Sequence, residues 1–202
     1  MSRLELGLFA GPVAHAPGDT VLILVPEDER PLRGDGGRVD WRLCGQISRG
    51  LLSGYVSGKL GEAILLAGRA PLLAARLLLL GAGPCAALHQ RAIHRVMGEA
   101  ARRLRDLRTR SALLALPAGL DLERSAEHLL RGLILGLAEG GWRSPFRLVI
   151  PDAEDRARSL EAVMASLQPE AHARGVPLEV GWVSSRPKSA YATQVGDPAG
   201  AV

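Results

Sequence analysis

The apolar residues of this chain come in two textures. Seven short runs are almost continuously apolar: "LELGLFA" (4–10), "TVLILVP" (20–26), "EAILLAG" (62–68), "RLLLLGA" (76–82), "SALLALP" (111–117), "FRLVIPD" (146–152) and "PLEVGWV" (177–183). All seven read as strands, and "TVLILVP", a continuous apolar run, as a strand covered on both faces. Between them lie longer stretches of helical period. Asp40 predicts a cap for a helix running to about Ser53, with Trp41, Cys44, Ile47, Leu51 and Leu52 on one stripe. A second helix is expected over 86–109. A third begins after Asp121, where Leu122, Ala126, Leu129, Leu130, Leu133 and Leu137 recur at helical spacing. A fourth covers 154–175. "RPLRGDGGR" (30–38) reads as a turn cluster. The alternation implies an α/β domain over 1–183, with helices on both faces of a mixed, mostly parallel sheet. The polar tail 184–202 is expected to be disordered.

Composition narrows this picture. Apolar residues make up 47% and aromatics only 3%, so the core must be aliphatic. A chain of 202 residues suits one domain. Cys44 and Cys85 form neither a metal spacing nor a disulfide framework, which points to a reducing compartment. The N-terminus carries Glu5 and no sustained apolar run, unlike a signal peptide. Arg69, Pro71, Arg76 and Pro84 interrupt the longest apolar region, so no membrane span is expected. The expected setting is cytoplasmic.

The net charge of +4 is unevenly placed. Residues 86–110 hold seven arginines against Glu99 and Asp106. At 100° per residue, Ile93, Val96, Met97, Ala100, Leu104 and Leu107 share one side of that helix, and Arg91, Arg95, Arg102 and Arg105 the other. Such a row can track an acidic protein face or a nucleic-acid backbone. It is equally what an amphipathic helix shows when it solvates its arginines. The row carries no aromatics, which argues against single-strand binding.

The stretch "RLLLLGAGP" (76–84) raises a second candidate. A strand followed by Gly81 and Gly83 before a helix can bind an anion through free amides. Against this, the third glycine of a dinucleotide fingerprint is missing, no Lys-Ser/Thr follows, and Pro84 removes a donor. The bland alternative is a tight turn with Pro84 near the first helical position. The five histidines, His15, His89, His94, His128 and His172, never pair with other ligands at metal spacing, and no nucleophile elbow occurs. No catalytic residue, metal site or cofactor is expected.

Three stretches, in this order, resemble the N-terminal domain of the leucyl aminopeptidase family of zinc exopeptidases, whose fold is related to macro domains. They are "DWRLCGQISRGLLSGYVSGKLGEAILLAG" (40–68), "ARLLLLGAGP" (75–84) and "HLLRGLILGLAEGGWRSP" (128–145). In the last, Gly132, Leu135, Gly136, Trp142, Arg143 and Ser144 match the family's helix end, while Ala138 and Gly140 stand where it usually has aromatics. The resemblance implies a macro-domain-like fold and a domain that is non-catalytic in the parent enzymes. There it helps pack hexamers and, in some bacterial members, takes part in DNA binding. The zinc-ligand motifs of the family's catalytic domain are not among these residues. The expected function is therefore a non-catalytic interaction, scaffold or regulatory module, working through a protein partner or self-association, with nucleic acid as a further candidate. The alternative is a macro-type domain reading ADP-ribose or another nucleotide. An accessory part of a metallo-aminopeptidase ranks third. A small-molecule ligand is not expected.

Overall fold

The computed structural model describes residues 3–184. Seven strands form its centre: β1 (Arg3–Leu8), β2 (Thr20–Pro26), β3 (Ala63–Ala67), β4 (Arg76–Gly83), β5 (Ser111–Ala115), β6 (Pro145–Ile150) and β7 (Leu178–Trp182). Five helices surround them: α1 (Gly34–Arg42), α2 (Gln46–Leu52), α3 (Gln90–Asp106), α4 (Leu122–Glu139) and α5 (Ala157–Ala173). The strands make one sheet in the order β3-β4-β2-β5-β6-β1-β7. Every pairing is parallel except β3 with β4. The fold is thus the three-layer, mostly parallel α/β arrangement that the apolar runs imply.

Burial explains those runs. All seven residues of β2 are buried, because helices cover both faces of the sheet at its centre. On one face, Leu22, Leu78, Leu80 and Leu114 pack with α3, α4 and α5, notably against Met97, Leu104, Leu133 and Leu160. On the other, Val21, Ile23, Leu77 and Leu79 pack with Val39 of α1 and Ile47 and Leu51 of α2. Asp121 caps α4, accepting from the amides of Glu123 (2.9 Å) and Arg124 (3.3 Å). Helices α3 and α4 cross closely because Gly132 and Gly136 share one side of α4 and face the α3 backbone.

Several sequence expectations need correction. Residues 34–38 are the first turn of α1, not part of a turn cluster. The expected helix 40–53 is two helices, and Asp40 lies inside α1 rather than at its start. Its carboxylate does cap a helix, but the next one. It accepts from the amides of Ile47 (2.6 Å) and Ser48 (3.2 Å) and from the Ser48 hydroxyl. A cap from seven residues away in sequence leaves no local signature. The break also turns Trp41 (74% exposed) and Leu52 (86% exposed) to solvent, off the expected stripe. Cys44, expected to be buried, is exposed. The helix expected from 86 is regular only from Gln90, because residues 85–87 form a separate 3₁₀ turn. The tail expected over 184–202 lies, apart from Ser184, outside the described residues.

Candidate functional site

The Gly81–Gly83 turn was the sequence's anion candidate, and its amides are engaged internally. The Gly81 amide donates to the Glu62 carbonyl (2.8 Å) and the Gly83 amide to the Gly58 carbonyl (2.9 Å). The glycines serve a close approach: a Cβ on Gly81 would collide with the Lys59 carbonyl. The same loop is tied down by Glu62, whose carboxylate accepts from the amides of Ser57 (2.9 Å) and Gly58 (2.7 Å). Burial pushes the Glu62 carboxyl up, but these donors outweigh it and hold it below its ordinary value. The turn also delivers its chain to the 3₁₀ segment, not directly to the first turn of α3.

Parallel sheets bind ligands most often beyond the carboxyl ends of their strands. Here the start of α1 packs against the chain just after β5. The Asp35 amide donates to the Leu116 carbonyl (3.0 Å), beyond β5, and the Leu116 amide returns to the Asp35 carboxylate (3.4 Å). Gly34 (φ +60°) sits so close that a Cβ would be 2.7 Å from the Ala118 nitrogen. Arg38 then bridges Asp35 (3.4 Å) and Asp152 (2.6 Å) over the same end. Beside it, between α1 and the 3₁₀ turn Val13–His15, lies a cleft of about 440 Å³ with Leu32, Arg33, Trp41 and Arg42 in its wall.

A depression of about 680 Å³ lies on the sheet face of β1, β6 and β7 that no helix covers among the described residues. Its charges answer one another. Glu5 pairs with Arg3 and with Arg147 (2.7 Å), and Arg3 pairs with Glu179 (3.2 Å). Burial pushes the Glu5 carboxyl up, but the two guanidiniums outweigh it and hold it below the usual value.

On α3 the four sequence candidates separate. Arg91 and Arg95 are exposed, and no carboxylate pairs with them among the described residues. Arg102 is exposed but held by Glu99, which also binds Arg103 (2.7 Å). Those two guanidiniums hold the Glu99 carboxyl below its ordinary value. Arg105 is half-buried and bonded to Asp106 (2.9 Å) and to the Gly140 carbonyl (3.0 Å), which anchors it to the end of α4. Among the described residues no group of three or more His, Cys, Asp or Glu side chains could hold a metal. Cys85 is half-buried beside Asp28. Burial and the Asp28 carboxylate push its thiol up to about 11, opposite to the activation a nucleophile needs.

Sequence reasoning missed the exposed apolar residues at the β3 end of the sheet: Leu60 (50% exposed), Leu65 (48% exposed) and Leu73. "EAILLAG" reads only as a strand. Its edge position depends on strand order, which no local pattern records.

The family model "Cytosol aminopeptidase family, N-terminal domain" matches residues 21–143. The chain belongs to this family. Within it, a probable cytosol aminopeptidase of Syntrophotalea carbinolica is 39% identical over 100 residues, 48% of this chain. The chain spans only 20% of that relative. Among solved structures, a variant of tomato leucine aminopeptidase matches at a TM-score of 0.60 and 22% identity, over 80% of this chain and 36% of that enzyme. An Oceanobacillus iheyensis macrodomain matches at 0.61 and 11% identity, over 81% of this chain and 92% of that protein. A Trypanosoma brucei macrodomain in complex with ADP-ribose matches at 0.60 and 17% identity, over 78% and 68%. The fold of this aminopeptidase N-terminal domain is therefore macrodomain-like. No helix among its described residues is long and apolar enough to cross a membrane.

Proposed function

We propose that these residues form a non-catalytic interaction module of the aminopeptidase N-terminal type, which meets an acidic partner surface through α3. The observation that carries this is the state of Arg91 and Arg95. Both are exposed one turn apart on a helix whose other arginines are paired or anchored. Two unanswered guanidiniums are available for carboxylates or phosphates. Family membership supports the same reading, because the match is to the N-terminal domain. The nucleotide-reading alternative has the fold on its side. It finds no support at the Gly81–Gly83 turn, whose amides are engaged.

The test is fluorescence anisotropy with labelled poly-L-glutamate and, separately, a short labelled duplex DNA, at low and near-physiological salt. The double variant Arg91→Ala, Arg95→Ala should weaken binding to the polyanion that is recognised. It should also flatten the salt dependence, by about 0.9 in the log–log slope for each lost contact if the polyanion is duplex DNA. Binding that is unchanged in the double variant would sink the assignment to α3. Since exposed Arg→Ala changes usually alter stability by about 0.5 kcal/mol or less, the comparison can be made at matched melting temperature.

A further inference from the structure

We propose that the free edge of β3, together with Arg95 on α3, takes up an extended acidic segment of a protein partner as an added strand. This rests on the interaction reading above and names the form of the partner.

The first observation is the direction of the backbone. The Glu62 carbonyl accepts from Gly81 and the Gly68 amide donates to Ala75, both across to β4 or its extension. Antiparallel pairing alternates along a strand, so Ile64 and Leu66 also turn their amides and carbonyls toward β4. The N–H and C=O groups of Ala63, Leu65 and Ala67 then point outward along the edge of the sheet. Proteins usually blunt such an edge with Lys, Pro, a bulge or a covering loop. The β3 sequence "AILLA" has none of these residues, and its register with β4 is unbroken.

The second observation is the side-chain surroundings. Ile64 and Leu66 pack toward the α1–α2 side. Ala63, Leu65 and Ala67 therefore lie on the α3 side of the sheet and are exposed. A small groove lies beside the start of this edge, between α3, the Leu60–Gly61 loop that leads into β3 and the end of β4, with Leu60, Leu80 and Val96 as its apolar part and Arg95, Glu99 and Arg102 as its polar part. Exposed Lys59 and Arg69 stand just beyond the two ends of β3. Of the carboxylates nearby, Glu62 is turned onto the Ser57 and Gly58 amides and Glu99 is held by Arg102 and Arg103. Among the described residues no carboxylate pairs with Lys59, Arg69 or Arg95, which leaves positive charge around the edge. An added strand supplies backbone partners along the whole edge and alternate side chains for the groove. Charge complementarity selects one with carboxylates at some of those positions.

The test uses a short fluorescein-labelled peptide of alternating Glu and Val, with an alternating Lys and Val peptide as its charge-reversed twin. The Glu/Val peptide should bind the wild-type chain, and the Lys/Val peptide at least tenfold more weakly. Leu65→Pro removes an outward N–H without touching the β4 ladder, a change that edge strands tolerate. Arg95→Glu reverses the flanking charge on an exposed helix position. Each should raise Kd tenfold or more. Hydrogen exchange of the wild-type chain should show the Ala63, Leu65 and Ala67 amides protected by the peptide. Should Leu65→Pro lose its cooperative melt, the exchange data and Arg95→Glu decide. Failure of the Glu/Val peptide to bind, equal binding of both peptides, or affinity that survives Leu65→Pro in a folded variant would overturn the proposal. So would protection confined to residues away from β3. Polyanion binding that depends on Arg91 and Arg95 yet survives Leu65→Pro would overturn strand addition while leaving the interaction reading intact.

Discussion

The contact between α3 and α4 offers a sharp test, because two glycines at one crossing should respond to the same mutation with opposite sign. Gly136 of α4 faces α3. A Cβ built there would lie 2.6 Å from the Ala101 Cβ and 2.7 Å from the Gly98 carbonyl oxygen. An ordinary carbon–carbon contact is about 3.5–4.0 Å, so the helices would have to part by about 1 Å. The obstacle is backbone and a methyl group, neither of which can rotate away. Overpacking costs about 1–3 kcal/mol, and a backbone obstacle puts this case at about 2–3; the helix preference of Ala over Gly returns about 1 kcal/mol. Gly136→Ala should therefore lose about 1–2 kcal/mol. Gly98 lies on the facing helix, and its added Cβ would meet only the Gly132 carbonyl, at 3.7 Å. There the propensity gain stands nearly alone, and Gly98→Ala should gain up to about 1 kcal/mol. For a chain of this size 1 kcal/mol moves the melting temperature by about 2–4 °C. Calorimetry should thus place Gly136→Ala about 2–8 °C below the wild type and Gly98→Ala at or above it. A Gly136→Ala protein as stable as the wild type, or a Gly98→Ala protein that falls with it, would refute the account of this crossing.

Asp40→Ala should cost about 2–3 kcal/mol, because it removes a cap and leaves buried amides of α2 without an acceptor. Hydrogen exchange should quicken first at Ile47 and Ser48; loss of stability without local quickening there would contradict the capping role. Cys85 should alkylate far more slowly than exposed Cys44 at pH 8, with its rate still rising toward pH 11. The folded thiol keeps its proton up to about 11 while the unfolded one loses it near 9. Cys85 thus contributes stability below pH 9 that fades as pH climbs through 11, and Asp28→Asn should narrow that window. The purified chain should not hydrolyse leucine amide with added Zn²⁺ or Mn²⁺; metal-dependent turnover that survives repurification would refute the non-catalytic reading. Titration calorimetry with ADP-ribose should give no heat at micromolar ligand, and a micromolar Kd would promote the nucleotide-reading alternative.

Much of this domain is set locally, and that part was legible. The continuous run "TVLILVP" specifies a covered strand because a residue type that suits neither water nor a helix surface has few other places to go. The cap at Asp121 is read from one residue and the period that follows it, since its partners are two and three positions away. The apolar and basic sides of α3 follow from 100° spacing alone. Gly132 and Gly136 could be matched to a family motif, but the reason for them, the closeness of the α3 backbone, required both helices.

The rest was decided by contacts between segments far apart in sequence. Asp40 was recognised as a capping residue but assigned to the wrong helix, because its acceptor role reaches across a break at Cys44 and Gly45 that the apolar stripe conceals. The Gly81–Gly83 turn carried the right residues for an anion site, and only the approach of the 58–62 loop shows where their amides go. Arg105 shares a helix side with Arg91 and Arg95, yet the end of α4 takes its guanidinium and leaves theirs exposed. The position of β3 at the edge depends on strand order, a property of the whole sheet. Sequence determines what each segment prefers to bury or expose. Which polar groups are left unanswered at the surface is settled only when distant segments meet and use up one another's hydrogen-bonding capacity.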